Sequence, residues 1–390
     1  VQQINNIDIL DPIQHLDLYI VQLDTYQDVG YNAVVDKIKE KLPTKLSVKA
    51  GLGYEAIGTA IQSLNMIYPY DLPIKDETNL YGKKGLQRIM KYNKKKQNFN
   101  YRSSALKKYG RVFSQDQIYK YSAKIASFTN TIKKSKGIIL IYSQYLDAGC
   151  IPVALALEEM GITRFGRPSL FGTPPHPPVS FDTLDPQEST KPFKPAKYAM
   201  ITGDINLSPN KNKIEMKAIT DAENINGEIV KIVIITKAGA EGLDFKNIRQ
   251  VHILEPWYNL NRTEQVIGRA VRNCSHKNLP YVDRNVELYL YGTRLNKKKG
   301  EEAADLYMYR KAEIKAVGIG QISRILKKNA VDCILNAPYN NLSIDKQVNQ
   351  IFASKKSRIP FNIKNKPYSS LCDYMEKCAY KCTPFKKITV

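Results

Sequence analysis

The chain has 390 residues, room for two or three domains, with 43% hydrophobic and 25% charged residues. That composition excludes a disordered or fibrous protein and supplies enough apolar material for a real core. The formal net charge is +22, a field that favours polyanions, nucleic acid before anionic membrane, with a merely soluble, lysine-rich protein as the plainer alternative. No apolar run approaches the ~18 residues of a membrane helix. The start, VQQINNIDIL, lacks the basic-then-apolar pattern of a secretory signal. It opens on Val rather than Met, which reads as a fragment of a longer protein. The six cysteines form no secreted disulfide framework, so an intracellular, reducing setting is expected.

In chain order, residues 1–132 read as a mostly helical region. YNAVVDKIKEKL carries helical spacing at Val34, Val35, Ile38 and Leu42. The basic stretch from Lys91 to Lys96 reads as a solvated loop. The character changes near Lys136. GIILIYS (137–143) reads as a strand buried on both faces. VALALEEMG (153–161) reads as a helix ended by glycine. A proline-dense insertion at 164–196 reads as a long loop or inserted hairpin rather than a core element. Strands follow at YAMITGD, IVKIVIIT, VHILEP and NVELYLYG, then a long helix over 301–328. The alternation predicts an α/β fold, a parallel sheet with helices on both faces, over 133–330. A cysteine-containing tail covers 331–390. Ligands of such sheets bind at the carboxyl ends of the strands, here Thr202–Asp204, the turn after Thr236 and the segment after Pro256.

EQVIGRAVRNCSH (264–276) carries an unusual stripe. With Gln265 at 0°, Arg269 falls at about 40° and Arg272 at about −20°, while Val266, Ile267, Ala270 and Val271 take the opposite face. Asn261, with Glu264 three residues on, is a candidate N-terminal cap. Gly268 costs roughly 1 kcal/mol relative to alanine within a helix and suits close approach of a backbone or phosphate. Two forked guanidinium groups fit a multi-oxygen anion. An ordinary amphipathic helix with arginines paired to surface carboxylates is the plainer alternative.

The order TKAGAEGLD (236–244), HILEPWYN and Gln265-x-x-Gly268-Arg269-x-x-Arg272 resembles the second RecA-like domain of superfamily 2 helicases and translocases. LNMIYP, LYGKKGL, LIYSQYLDAG and GRAVRNCSHKNLP are similar to a group from large DNA viruses of eukaryotes, related to the poxvirus transcription helicases. The resemblance implies roles. Arg269 and Arg272 become arginine fingers and Gln265 the first residue of their motif. Gly242, Asp244 and Gly268 lie on the nucleotide side. Ser143, Gln144, Thr202, Gly203, Thr236 and Lys237 meet the nucleic-acid backbone, DNA or RNA. ATP and Mg²⁺ are implied, held mainly by a first RecA-like domain, in cis or in trans, to which 1–132 would be the bridge. A viral RNA polymerase or transcription factor is an implied partner, no membrane is, and the host cytoplasm or the virion is the implied location.

The departure from the family pattern is large. No G-x-x-x-x-G-K-[ST] phosphate loop occurs, and GLGYEAIGTA (51–60) has glycines without it. The isolated chain is therefore expected to be inactive in ATP hydrolysis. A non-catalytic nucleic-acid-binding subunit that keeps the fold is the alternative. His252 reads as a core histidine, Trp257 as a base-stacking or packing residue, and His276 as a phosphate contact or a capping group. Cys333, Cys372, Cys378 and Cys382 read as a weak zinc set or as unpaired thiols.

Overall fold

The computed structural model describes residues 13–41, 54–186, 193–208, 212–237, 244–296, 302–340, 345–354 and 357–383. The first described elements are β1 (Tyr19–Gln22), which joins the main sheet, α1 (Thr25–Lys41), α2 (Tyr54–Asn65) and α3 (Gly82–Ile89). The hairpin of β2 (Met90–Asn93) and β3 (Asn98–Tyr101), α4 (Ser103–Tyr109) and α5 (Ala123–Ile132) complete this part. Then follow β4 (Ile138–Tyr142), α6 (Ile151–Glu159), β5 (Thr163–Arg164), β6 (Lys197–Ile201), α7 (Lys213–Ile219) and β7 (Ile232–Ile235). β8 (Ile248–Ile253), α8 (Leu260–Ala270), β9 (Glu287–Arg294), α9 (Ala304–Asn329), α10 (Cys333–Asn340) and the hairpin of β10 (Gln347–Ile351) and β11 (Arg358–Asn362) end it.

The central sheet has seven strands in the order β1-β9-β8-β4-β7-β6-β5. Every neighbouring pair is parallel, as the buried apolar runs predict. Strand periodicity divides those runs between two cores. Ile139 and Ile141 of β4, with Ile232 and Ile234 of β7, enter the larger one. Ile138, Leu140 and Tyr142, with Val233 and Ile235, enter the second. The first face is covered by Val34 and Val35 of α1, Ile57 and Ile61 of α2, Ile125 and Phe128 of α5, Leu155 of α6 and Met308 of α9. The second is covered by Ile219 of α7 and by Val266 and Ala270 of α8. The helices that precede residue 133 thus share a core with the sheet, and β1 pairs with β9 at its edge.

Two segments differ from expectation. Part of the basic stretch at 91–96 is strand, because β2 pairs with β3 around a short turn. The proline-dense insertion is not purely peripheral. It buries Leu170, Phe171, Val179 and Leu184 in the first core, and Phe99 bridges to Phe171. Glu158 of α6 organises it, accepting the backbone N–H groups of Leu170 at 2.7 Å and Phe171 at 2.9 Å, and the Tyr198 hydroxyl at 2.7 Å. Helix α6 ends as the glycine predicts. Gly161 has φ +83°, where a Cβ would run into the Pro177 carbonyl.

Candidate functional site

In this register Ile201 lies beside Ile235, Ile235 beside Tyr142 and Tyr142 beside Ile253. The residues that follow these strands therefore emerge in line along one carboxyl edge: Thr202 and Gly203 after β6, Thr236 and Lys237 after β7, Ser143 and Gln144 after β4, and Leu254 to Trp257 after β8. Six of the expected site residues are brought together in this way. Their exposures differ. Ser143, Thr202 and Thr236 are buried, Gln144 is half-buried, and Gly203 and Lys237 are exposed. The Thr202 hydroxyl is engaged with Ser208 Oγ at 2.9 Å. Ser143 Oγ donates to Glu255 Oε1 at 3.0 Å. A Cβ at Gly149 would overlap that Ser143 side chain, so the glycine leaves it room.

The arginine stripe lies elsewhere. α8 starts at the carboxyl end of β8 and runs back along the sheet, roughly 16 Å for its eleven residues at ~1.5 Å each. The turn after it is clipped to the beginning of β8. His276 Nε2 lies 2.6 Å from the Ile248 carbonyl, its Nδ1 2.8 Å from Ser275 Oγ, and the Asn247 N–H donates to the Ser275 carbonyl at 3.0 Å. His276 therefore has both ring nitrogens engaged in holding this turn, and burial lowers its pKa. The expected nucleotide group and the expected nucleic-acid group stand at opposite ends of α8.

Gln265 and Arg269 are in α8, Gln265 exposed and Arg269 half-buried. Arg272 is not. The helix ends at Ala270 with Val271 as its C-terminal cap, so Arg272 lies in the following turn and the extrapolated stripe stops short of it. The tertiary clip at Ser275 and His276 accounts for that early end. Arg272 Nε donates to the Gly268 carbonyl at 3.1 Å, and its Nη1 lies 3.3 Å from Asp244 Oδ1. This brings Asp244, Gly268 and Arg272 together on an exposed surface. Among the described residues, nothing beyond the helix's own backbone lies within 4 Å of a Cβ added at Gly268, so no packing seen there requires the glycine. Gly242 lies outside the described residues. The helix is preceded by Asn259 as N-terminal cap, not Asn261, and no side-chain capping bond forms.

Sequence reasoning missed the polar groups beneath the carboxyl edge. Glu255 is buried and accepts the Gln144 backbone N–H at 2.5 Å as well as Ser143. Burial raises its pKa, and its hydrogen-bond donors and Lys124 oppose the rise. The one available signal was a charged residue inside an apolar segment, Lys124 in AKIASF and Glu255 in ILEPW. Arg262, in the first turn of α8, stacks its guanidinium 3.4 Å from the Trp257 ring centroid, so packing occupies one face of the only tryptophan.

The zinc set is corrected. Cys333 pairs with Cys382 and Cys372 with Cys378 in two disulfides, with Cα separations of 5.8 and 4.5 Å that suit such bonds. Each sulfur is committed to one partner instead of a shared cation, and the four are not unpaired thiols either. Among the described residues no group of three or more His, Cys, Asp or Glu side chains is gathered as a metal site.

The profile of the helicase conserved C-terminal domain family matches residues 183–274. The chain is 31% identical over 236 residues to an African swine fever virus protein named termination factor NPH-I homolog, covering 55% of this chain and 33% of that protein. It is 27% identical over 270 residues to a putative helicase of invertebrate iridescent virus 3, covering 68% of this chain and 23% of that protein. Among solved structures, the C-terminal part of the Fun30 ATPase domain aligns over 78% of this chain and 98% of its own, at 13% identity and a TM-score of 0.39. The chain thus spans a third or less of the length of these viral relatives.

Proposed function

We propose that this chain, which matches the helicase conserved C-terminal domain over residues 183–274 and is similar to helicases of large DNA viruses, is the second motor domain of an ATP-dependent nucleic-acid helicase or translocase. The observation that carries the reading is the placement of two expected groups at the two ends of α8. Gln144, Gly203 and Lys237 edge the carboxyl side of the sheet, where backbone contacts position a strand without reading its sequence. Asp244, Gly268 and Arg272 gather at the far end of the helix, with Arg269 in its last turn. There a companion RecA-like domain, in cis or in trans, would present ATP and Mg²⁺. The phosphate loop belongs to that companion, since this sequence contains none.

Arg269 and Arg272 act on charge that develops at the γ-phosphate, a role for fixed donors in a site closed to water. The space beside Gly268 suits the approach of nucleotide or of the facing domain. The contact between Arg272 and Asp244 is exposed and contributes little stability, so it is free to be exchanged for phosphate. Residues 1–132 bridge the two motor domains in this proposal, and viral transcription or genome handling is the setting.

Hydrolysis is the test. The chain alone, with ATP, Mg²⁺ and DNA or RNA, is expected to turn over no ATP, and turnover would overturn the assignment of the phosphate loop to a companion. Joined to a phosphate-loop domain, hydrolysis is expected to appear and to fall on the order of 1000-fold in Arg269→Ala or Arg272→Ala. Unchanged rates in both variants would remove their role as arginine fingers.

A further inference from the structure

A chain of buried charged and polar groups runs under the carboxyl edge, and the proposed mechanism makes no use of it. Lys124 of α5 and Asp305 of α9 are both fully buried and pair at 2.8 Å. The Thr293 hydroxyl donates to the same Asp305 oxygen at 2.6 Å. Lys124 Nζ also donates to the Leu254 carbonyl at 2.7 Å and to Asn65 Oδ1 at 3.0 Å. Asn65 Nδ2, at the end of α2, donates in turn to Glu255 Oε2 at 2.7 Å. Glu255 then accepts Ser143 Oγ at 3.0 Å and the Gln144 N–H at 2.5 Å. Every member is satisfied, which removes the heavy cost of an unpaired buried charge. Stability alone is a weak reason for such a chain, because well-packed apolar residues of similar volume often serve as well or better. What the chain supplies is a defined position for its last member, the turn after β4.

We propose that Glu255 is a positioning residue that holds the Ser143–Gln144 turn in the conformation that meets the nucleic-acid backbone, with Asn65 and Lys124 from the N-terminal helices fixing Glu255 in turn. The inference rests on the nucleic-acid reading of that turn and adds its control by residues of the segment before the sheet. The outward side of the turn carries its own reporter. Gln144 Oε1 lies 3.4 Å from Arg262 Nη1, and Arg262 covers Trp257. A turn released from Glu255 changes the surroundings of the only tryptophan.

The test uses the full chain, a labelled DNA duplex, a labelled single-stranded RNA and the emission of Trp257. In Glu255→Gln the new amide nitrogen faces either the Gln144 N–H or Asn65 Nδ2, donor against donor. Affinity for whichever nucleic acid binds is expected to fall about tenfold, the scale of one well-placed hydrogen bond, and the emission to shift. Adding Asn65→Asp supplies an acceptor for that amide and keeps a carboxylate beside Lys124. The double variant is expected to recover affinity to within about twofold and to restore the emission. Urea unfolding read in parallel separates the positioning role from general destabilisation, which would lower affinity only in proportion to the unfolded fraction. Wild-type binding with unchanged affinity and emission in Glu255→Gln, or loss without recovery in the double variant, overturns the positioning role. Absence of nucleic-acid binding by the wild-type chain overturns the reading of the turn itself, and the two failures are distinct.

Discussion

His252 lies near the end of β8 with its ring stacked on Tyr289 at 4.5 Å and its Nδ1 3.0 Å from the Tyr291 hydroxyl. Burial pushes its pKa down to about 3, against an ordinary value of ~6.5 in the unfolded chain. Between those values the unfolded state binds the extra proton. The stability that depends on the neutral ring is therefore fully present above pH ~6.5 and is lost as pH falls toward 3. His252→Gln keeps a partner for Tyr291 and removes the titration. From pH 7 to pH 5, wild type is expected to lose about 2 kcal/mol relative to this variant in urea unfolding, at ~1.36 kcal/mol per pH unit across the window. Parallel pH profiles would show that the ring is not held neutral. A core histidine was legible in the sequence because apolar neighbours in a strand leave few other places for it. The place of Arg272 was not, because the end of α8 is set by a clip to β8 and not by the helix itself. Lys124 stood out as a charge in an apolar segment, but its pairing was illegible for the same kind of reason, since its partner Asp305 comes from the far end of the fold.

At the scale of elements, legibility follows burial on both faces. β4 and β7 read as apolar runs because each sends alternate residues into two cores, whereas β8 sends Ile248, Val251 and Ile253 into the second core alone and buries the polar Arg249, Gln250 and His252 between them. β1 did not, as a four-residue edge strand whose Tyr19 and Ile20 stay exposed. The proline-dense insertion reads as a loop by composition, yet beside its apolar and backbone contacts it is anchored through several hydrogen bonds by one carboxylate, Glu158 of α6. Glu158→Ala would strip acceptors from two backbone N–H groups and two hydroxyls, Ser169 and Tyr198. Leaving buried donors unsatisfied costs about 1–3 kcal/mol for each group. The variant is expected to lose at least about 3 kcal/mol in urea unfolding, with faster hydrogen exchange at the Leu170 and Phe171 amides. A loss below about 1 kcal/mol with unchanged exchange would mean that the insertion is held by its apolar contacts alone.

At the scale of the molecule, a net charge of +22 acts on any polyanion wherever it approaches, so binding by itself says little about where a strand lies. Salt dependence separates the two questions. Each duplex phosphate neutralised contributes about −0.9 to the slope of log K against log salt, and each single-strand phosphate about −0.7. A strand laid along the carboxyl edge is expected to give a duplex slope of about −4 or steeper. Two exposed lysines then act as opposite controls. Lys237 follows Thr236 on that edge, whereas Lys95 sits in the turn of the β2–β3 hairpin. If the edge is the track, Lys237→Ala reduces the magnitude of the slope by about one unit and Lys95→Ala leaves it as it was. Equal effects would assign binding to the diffuse field of the whole chain. A flat salt response in the wild type would remove the basic footprint as the source of affinity, and with it the first physical reason to look for a nucleic acid.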